Sequence, residues 1–182
     1  MHKTRLLLLD RDGVVNIDHG YIGTVERFEF CPGLFSFLRA ARDFGYRLAI
    51  LTNQSGVARG LYSETDYNTI TLHMLDGLRR EGVEIDLTLA CFAHPEGKAG
   101  PHKHESFWRK PNPGMVLEAL RHLHGDAARS VFLGDSQRDM EAAQAGGIGT
   151  CLWLTDENPV SSDGVTIVRA YADVLTLIRP SA

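Results

Sequence analysis

Two aspartates, Asp10 and Asp12, follow the four leucines Leu6 to Leu9 and precede Gly13. The leucine run predicts a strand buried on both faces, as in the centre of a parallel sheet. Because an unpaired charge is very costly inside a core, both carboxylates must lie where the strand ends, which is where open α/β sheets bind ligands. Side chains two residues apart on an extended chain point to the same side, so both would face one site. For this stretch alone, a plain Asp-Gly turn is the simpler alternative.

Other polar residues occupy the ends of the second and fourth predicted strands and a long loop ahead of a helix: Thr52, Asn53, Gln54, Ser55, Asp135, Arg109 and Lys110. If the strands are parallel, their carboxyl ends meet at one edge of the sheet, and these groups meet there too. Clustered carboxylates are typical of a hard divalent cation, and Mg²⁺ usually completes its shell with waters and a phosphate. Lys110 and Arg109 would face an anion. The residue types therefore predict a phosphorylated substrate bridged by Mg²⁺.

Strand and helix patterns alternate along the chain. The predicted strands are residues 6–9, 46–51, 87–92, 131–134 and 150–154, and helices are predicted to start at 32–33, 63, 112–113, 140 and 172. This alternation predicts an α/β fold, a three-layer Rossmann-like parallel sheet with helices on both faces. Residues 13–31 show no sustained period, so we expect a loop or small flap beside the carboxylates and no sizeable cap domain.

Composition narrows the class of protein. The chain has 182 residues, a net charge of −4 and three widely separated cysteines, Cys31, Cys91 and Cys151. We expect one domain spanning 1–182, with neither a nucleic-acid nor a membrane partner, because charges of both signs are interspersed. The odd cysteine number argues against a disulfide framework and favours a reducing, cytoplasmic location. A monomer is the expected state.

Four stretches of the chain resemble the motifs of the haloacid dehalogenase superfamily of phosphotransferases: residues 10–16, the Thr52 cluster, Lys110 and residues 134–139. Within that superfamily, residues 18–21, 52–60 and 109–114 are similar to the D,D-heptose 1,7-bisphosphate phosphatases. The resemblance spans about residues 6 to 154. It implies a Mg²⁺-dependent phosphatase that removes the C7 phosphate of D,D-heptose 1,7-bisphosphate, in nucleotide-heptose biosynthesis such as that of the lipopolysaccharide core.

The resemblance also implies roles for individual residues. Asp10 would attack phosphorus to give an aspartyl-phosphate, and Asp12 would act as general acid and then base. Thr52 and Lys110 would stabilise the transferring phosphoryl group. Magnesium would be held by the Asp10 carboxylate, the Asp12 backbone carbonyl and Asp135. The remaining substrate contacts would come from Asp18, His19, Gly20, Tyr21, Asn53, Gln54, Ser55 and Arg109.

The long loop departs from the family pattern. Many of these phosphatases carry a structural zinc just before the Arg-Lys-Pro tripeptide, but beside Cys91 this chain has Ala93, Ser106 and Trp108 at the ligand positions. One thiol cannot replace a four-ligand tetrahedral site. We expect a protein without structural zinc whose loop is held by packing, with Trp108 in the place of the metal. An alternative ligand set would be Cys91, His94, His102 and His104.

Three other functions compete with the heptose phosphatase. Histidinol-phosphate phosphatase shares all four motifs, although residues 18–21 and 58–60 favour the heptose substrate. A phospho-accepting regulatory domain would need no acid–base partner such as Asp12, and a nucleic-acid 3′-phosphatase would need a basic surface. Asp139 forms a capping-box pattern with Ser136, so we assign it to the helix start or to a supporting role.

Overall fold

The computed structural model describes residues 3–98, 100–160 and 163–179, and its centre is a six-stranded parallel sheet. The strands are β1 (Leu6–Leu9), β2 (Arg47–Asn53), β3 (Leu87–Cys91), β4 (Val131–Gly134), β5 (Thr150–Leu154) and β6 (Val165–Val168). Their order across the sheet is β3-β2-β1-β4-β5-β6, and every neighbouring pair is parallel. The predicted α/β fold class is confirmed.

Helices cover both faces of the sheet. They are α1 (Leu34–Asp43), α2 (Glu64–Arg80), α3 (Gly114–His122), α4 (Gln137–Ala145) and α5 (Tyr171–Ile178), with short 3₁₀ turns at Val25–Arg27 and Ala127–Arg129. Buried side chains of α1, α2 and α5 belong to one apolar core, and those of α3 and α4 belong to a second core. Two cores separated by one sheet make the three layers that the sequence predicts.

Strand β1 lies between the two cores because its side chains alternate. Leu7 and Leu9 pack into one core, Leu6 and Leu8 into the other, and all four are 0% exposed. Strand β1 is also where the chain order reverses, since β2 and β3 lie on one side of it and β4 to β6 on the other. The carboxyl edge at such a switch point is the usual ligand site of an open α/β sheet.

Some predicted boundaries are wrong. Strand β2 continues through Thr52 and Asn53, which pair with β3 and are not part of a loop tip. Helix α3 begins at Gly114 with Pro113 as its N-cap, and α4 begins at Gln137, one turn earlier than predicted.

The sequence predicted five strands, and the sixth, β6, was missed. No helix separates it from β5, so the strand–helix alternation gives no signal for it, and of its four residues at the edge of the sheet only Val168 is fully buried. Among the described residues, no helix is both long and apolar enough to span a bilayer.

Candidate active site

A buried lysine joins two carboxylates at the carboxyl edge of the sheet. Lys110 is 1% exposed, and its Nζ lies 2.8 Å from Asp10 Oδ1 and 2.6 Å from Asp139 Oδ1. Nζ also donates to the carbonyl oxygen of Leu51 at 2.8 Å. The buried ammonium group thus has two carboxylate oxygens and one carbonyl oxygen around it, the partners that a buried charge requires.

Asp135 completes a cluster of three carboxylates. Ligand oxygens of Asp10, Asp135 and Asp139 all lie within 4.8 Å of one another. Burial and the negative charge of Asp139 raise the pKa of Asp135 to about 7. Burial, followed by the Asp139 charge, also raises the pKa of Asp10 well above its usual value. Three acids around one lysine would carry surplus negative charge if all were ionised, and the raised pKa values of Asp10 and Asp135 express the cost of that surplus in the absence of a cation.

Asp139 is the acid that pairs most closely with Lys110. Burial alone would raise the pKa of Asp139, but Lys110 outweighs it and the pKa is lowered. Its Oδ2 accepts from the Ser136 amide at 3.1 Å and from the Ser136 hydroxyl at 2.6 Å, which confirms the predicted capping box. Asp139 therefore both caps helix α4 and forms an ion pair with Lys110.

Two glycines let these acids approach the strand ends. A Cβ on Gly134 would lie 2.3 Å from Asp139 Cβ, and a Cβ on Gly13 would lie 2.0 Å from Asp135 Oδ2. Gly13 also has a φ of 80°, a conformation that other residues adopt only with strain. The close approach brings Asp135 against the turn that contains Asp12.

Lys110 itself is positioned by Asn53. The Asn53 amide donates to the Lys110 carbonyl at 2.9 Å and accepts from the Lys110 backbone N–H at 3.1 Å. This paired contact fastens the long loop to the end of β2. Asn53, which the resemblance assigns to substrate binding, therefore already uses its side chain to hold Lys110, although it also lines the cleft described below.

Asp12 belongs to a separate network. Its carboxylate accepts two hydrogen bonds from Nη2 of Arg11, at 2.9 and 3.0 Å, and Arg11 is 1% exposed. Asn16 donates to Oδ1 at 3.0 Å and Gln54 to Oδ2 at 2.8 Å. Two acids that are only two residues apart thus face the same cleft with different partners.

The cleft in front of these acids has a volume of about 290 Å³. Predicted site residues that line it are Asp10, Asp12, Asp18, Gly20, Tyr21, Asn53, Gln54, Ser55, Arg109, Lys110 and Asp135. Two predicted residues do not line it: Thr52 is 1% exposed behind Gln54, and the His19 imidazole lies 3.5 Å from Glu29 Oε2.

The cleft also includes residues to which sequence reasoning gave no part in the site, notably Tyr62, Ser136 and Arg138. The sequence could have predicted Ser136 and Arg138 as site residues, because they lie at the start of the helix that directly follows Asp135. No sequence signal points to Tyr62, which lies in a loop ahead of α2. Arg138 is a second arginine beside Arg109, and burial together with the Arg138 charge lowers the pKa of Arg109.

Packing and polar contacts hold the long loop. Trp108 is 40% exposed, and that it takes the place of the metal stays a prediction. Phe92 packs edge-on against Tyr67 and His102, and His102 Nε2 lies 2.7 Å from Glu64 Oε1.

The alternative zinc ligands have other neighbours. His94 Nε2 lies 3.1 Å from an Arg59 nitrogen, and His104 Nδ1 contacts the carbonyl of Glu105 at 2.7 Å. Within the described residues, Cys91, His94, His102 and His104 do not converge as a group of ligands. That the protein carries no structural zinc stays a prediction.

The cluster of three acids fits a divalent cation. It consists of oxygen ligands only, its three acids share one lysine, and all three line the cleft where a phosphate could complete the shell. Of the three, Asp10 and Asp135 are the better ligands, because both carboxylate oxygens of Asp139 already have partners, Oδ1 in Lys110 and Oδ2 in Ser136. A parallel sheet with this cluster at its switch point is the arrangement expected of the haloacid dehalogenase class that the four motifs predict.

Comparisons with known proteins agree with this class. The HAD-hydrolase-like family model matches residues 107–171. The D-glycero-alpha-D-manno-heptose-1,7-bisphosphate 7-phosphatase of Burkholderia mallei is 39% identical over 178 residues, covering 97% of this chain and 94% of its own. The D-glycero-beta-D-manno-heptose-1,7-bisphosphate 7-phosphatase of Vibrio cholerae is 40% identical over 167 residues, covering 92% of this chain and 90% of its own.

A solved structure gives the same result. The D,D-heptose 1,7-bisphosphate phosphatase of B. bronchiseptica, crystallised with magnesium and phosphate, superimposes with a TM-score of 0.83 at 27% identity, over 96% of this chain and 97% of that one. The chain belongs to the D-glycero-D-manno-heptose-1,7-bisphosphate 7-phosphatase family of haloacid dehalogenase-like hydrolases.

Magnesium should stabilise the folded protein through Asp135. At about a hundred times its dissociation constant, a ligand adds about 2.7 kcal/mol, which raises Tm by about 5–10 °C for a chain of this size. Asp135→Asn should abolish most of this rise, as measured by thermal unfolding at pH 7.5. Asp12→Asn is the control, because the Asp12 carboxylate lies outside the cluster.

Asp135→Asn also tests, in the metal-free protein, whether the crowding of Asp135 with the other acids destabilises the fold. Folding raises the pKa of Asp135 from 3.8 to about 7. Between these pH values the folded protein holds a proton that the unfolded protein has lost, so the free energy of unfolding falls as pH rises. Asp135→Asn should therefore raise Tm of the metal-free protein at pH 7.5. An unchanged magnesium response in Asp135→Asn would contradict the assigned site.

Proposed function

We propose that this protein removes the C7 phosphate of D,D-heptose 1,7-bisphosphate through an aspartyl-phosphate on Asp10. The observation that carries the proposal is the contact of Asp10 with Lys110, 2.8 Å apart at the floor of a cleft that also contains Asp12 and Asp135. The proposed substrate is the one for which the Burkholderia and Vibrio relatives are named. These names specify different anomers, so the preferred anomer is left to measurement.

Asp10 is the nucleophile. One of its carboxylate oxygens forms a bond to phosphorus while the bond from phosphorus to the C7 oxygen breaks. Lys110 holds the Asp10 carboxylate in place and offers positive charge to the phosphoryl oxygens. When bound, magnesium supplies further positive charge, and Asp10, Asp135 and the Asp12 backbone carbonyl would hold it.

Asp12 moves the proton. It gives a proton to the leaving C7 alkoxide and then takes one from the water that hydrolyses the aspartyl-phosphate. Its hydrogen bonds to Arg11, Asn16 and Gln54 keep its carboxyl group in the cleft beside Asp10. Because phosphate monoester hydrolysis is extremely slow without a catalyst, positioning and charge stabilisation must supply most of the acceleration.

The rest of the substrate lies against the outer part of the cleft. Asp18, Gly20 and Tyr21 come from the flap, and Ser55 comes from the loop that follows β2. Arg109 offers positive charge for the second phosphate. We also propose that the protein acts as a monomer in the cytoplasm, where its free cysteines stay reduced.

Substrate choice is tested by phosphate release from D,D-heptose 1,7-bisphosphate as each anomer, histidinol phosphate and a panel of sugar monophosphates. We expect kcat/KM for the heptose bisphosphate to exceed that for every other compound, and chelation of divalent cations to stop turnover. A higher kcat/KM for histidinol phosphate would contradict the proposed substrate.

Asp12→Asn tests whether the protein is an enzyme or a phospho-accepting regulator. Loss of general acid–base catalysis should lower kcat by about 10²–10⁴-fold, while the thermal shift with magnesium persists. Release of phosphate in single turnovers measures the effect. Unchanged turnover would remove the acid–base role from Asp12.

A further inference from the structure

The hydroxyl of Tyr62 reaches the acid–base group through a single side chain. It donates to Gln54 Oε1 at 2.6 Å. The Gln54 amide nitrogen donates in turn to Asp12 Oδ2 at 2.8 Å and to Thr52 Oγ1 at 2.9 Å. One amide therefore connects Tyr62 to both Asp12 and Thr52.

Only one orientation of the Gln54 amide satisfies these partners. Whenever Asp12 is ionised, its carboxylate accepts hydrogen bonds and donates none, so the amide nitrogen faces Asp12, as it does in the structure. The amide oxygen then faces Tyr62, whose hydroxyl must be the donor. Gln54 is 2% exposed, so turning its amide over would bury an oxygen against the Asp12 carboxylate.

Tyr62 is itself held in place. A Cβ on Gly56 would lie 2.1 Å from Tyr62 Cε1, and a Cβ on Gly23 would lie 2.9 Å from Tyr62 Cβ, so two glycines make room for this side chain. Gly23 belongs to the flap and Gly56 to the loop after β2. Burial raises the pKa of Tyr62 to about 12, so the hydroxyl keeps its proton at neutral pH.

We propose that Tyr62 is a positioning residue for phosphate hydrolysis, which locks the Gln54 amide so that Asp12 and Thr52 keep their working orientations. Thr52 Oγ1 accepts from the same Gln54 amide, so its orientation is fixed together with that of Asp12. The inference rests on the proposed function and adds to it a residue that acts through another side chain.

Tyr62→Phe tests the inference, because it removes the hydroxyl and keeps the ring between the glycines. Loss of one hydrogen bond in such a network corresponds to about a five- to twentyfold fall in kcat, with KM unchanged within about twofold. Tyr46→Phe is the matched control: its hydroxyl donates to the Ile178 carbonyl at 3.3 Å, at the opposite end of β2, and its loss should leave kcat unchanged.

A double-mutant cycle separates positioning from substrate contact. In a Gln54→Leu background, Tyr62→Phe should have no further effect on kcat, because the amide through which the Tyr62 hydroxyl reaches Asp12 and Thr52 is gone. The same fall in that background, an unchanged kcat in the single variant, or a raised KM with kcat intact would each overturn the inference. Thermal unfolding checks that every variant is folded.

The failure of this inference is distinct from failure of the proposed function. The cycle is measured with D,D-heptose 1,7-bisphosphate, or with the best phosphate ester of the panel if that compound is not hydrolysed. A wild-type protein that hydrolyses none of them would overturn both proposals. Equal kcat values for the wild type and Tyr62→Phe would overturn the role of Tyr62 alone.

Discussion

The ammonium group of Lys110, buried between Asp10 and Asp139, is the contact on which the rest of the site depends. Burying these charges costs several kcal/mol per ion unless they are paired and hydrogen-bonded. The pairing requires the end of β1, the first turn of α4 and the long loop to meet at one nitrogen, and the Leu51 carbonyl adds β2. The excess of acids over lysine in turn creates a place for a cation.

The two acids of the first motif have different surroundings, which is what different roles in one reaction need. Asp10 faces Lys110 and other carboxylates, whereas Asp12 is bound by the buried Arg11 and by amide donors. The first arrangement fits the proposed nucleophile. The second fits the proposed proton carrier beside it, and the proposed role of Tyr62 extends that support to a hydroxyl at the cleft.

Sequence reasoning predicted the elements that a local pattern specifies. The leucine run of β1, the capping box at Ser136 and the meeting of Asp10, Lys110 and Asp135 all followed from residue types and from parallel strand ends. No local sequence pattern predicts the contacts that depend on how a loop folds. The hydrogen bonds from Asn53 to Lys110 and from Tyr62 to Gln54 join positions that no periodicity relates. Strand β6 was not predicted for a similar reason, since no helix lies between β5 and β6.

The account as a whole is tested most directly by identifying the residue that carries the phosphoryl group. The wild-type protein is quenched in acid during turnover of the heptose bisphosphate, reduced with borohydride and analysed by peptide mass spectrometry. Reduction converts an aspartyl-phosphate to homoserine, so the account predicts homoserine at position 10 and unmodified aspartates at 12, 135 and 139. Homoserine at any of those other positions instead of at position 10 would contradict it.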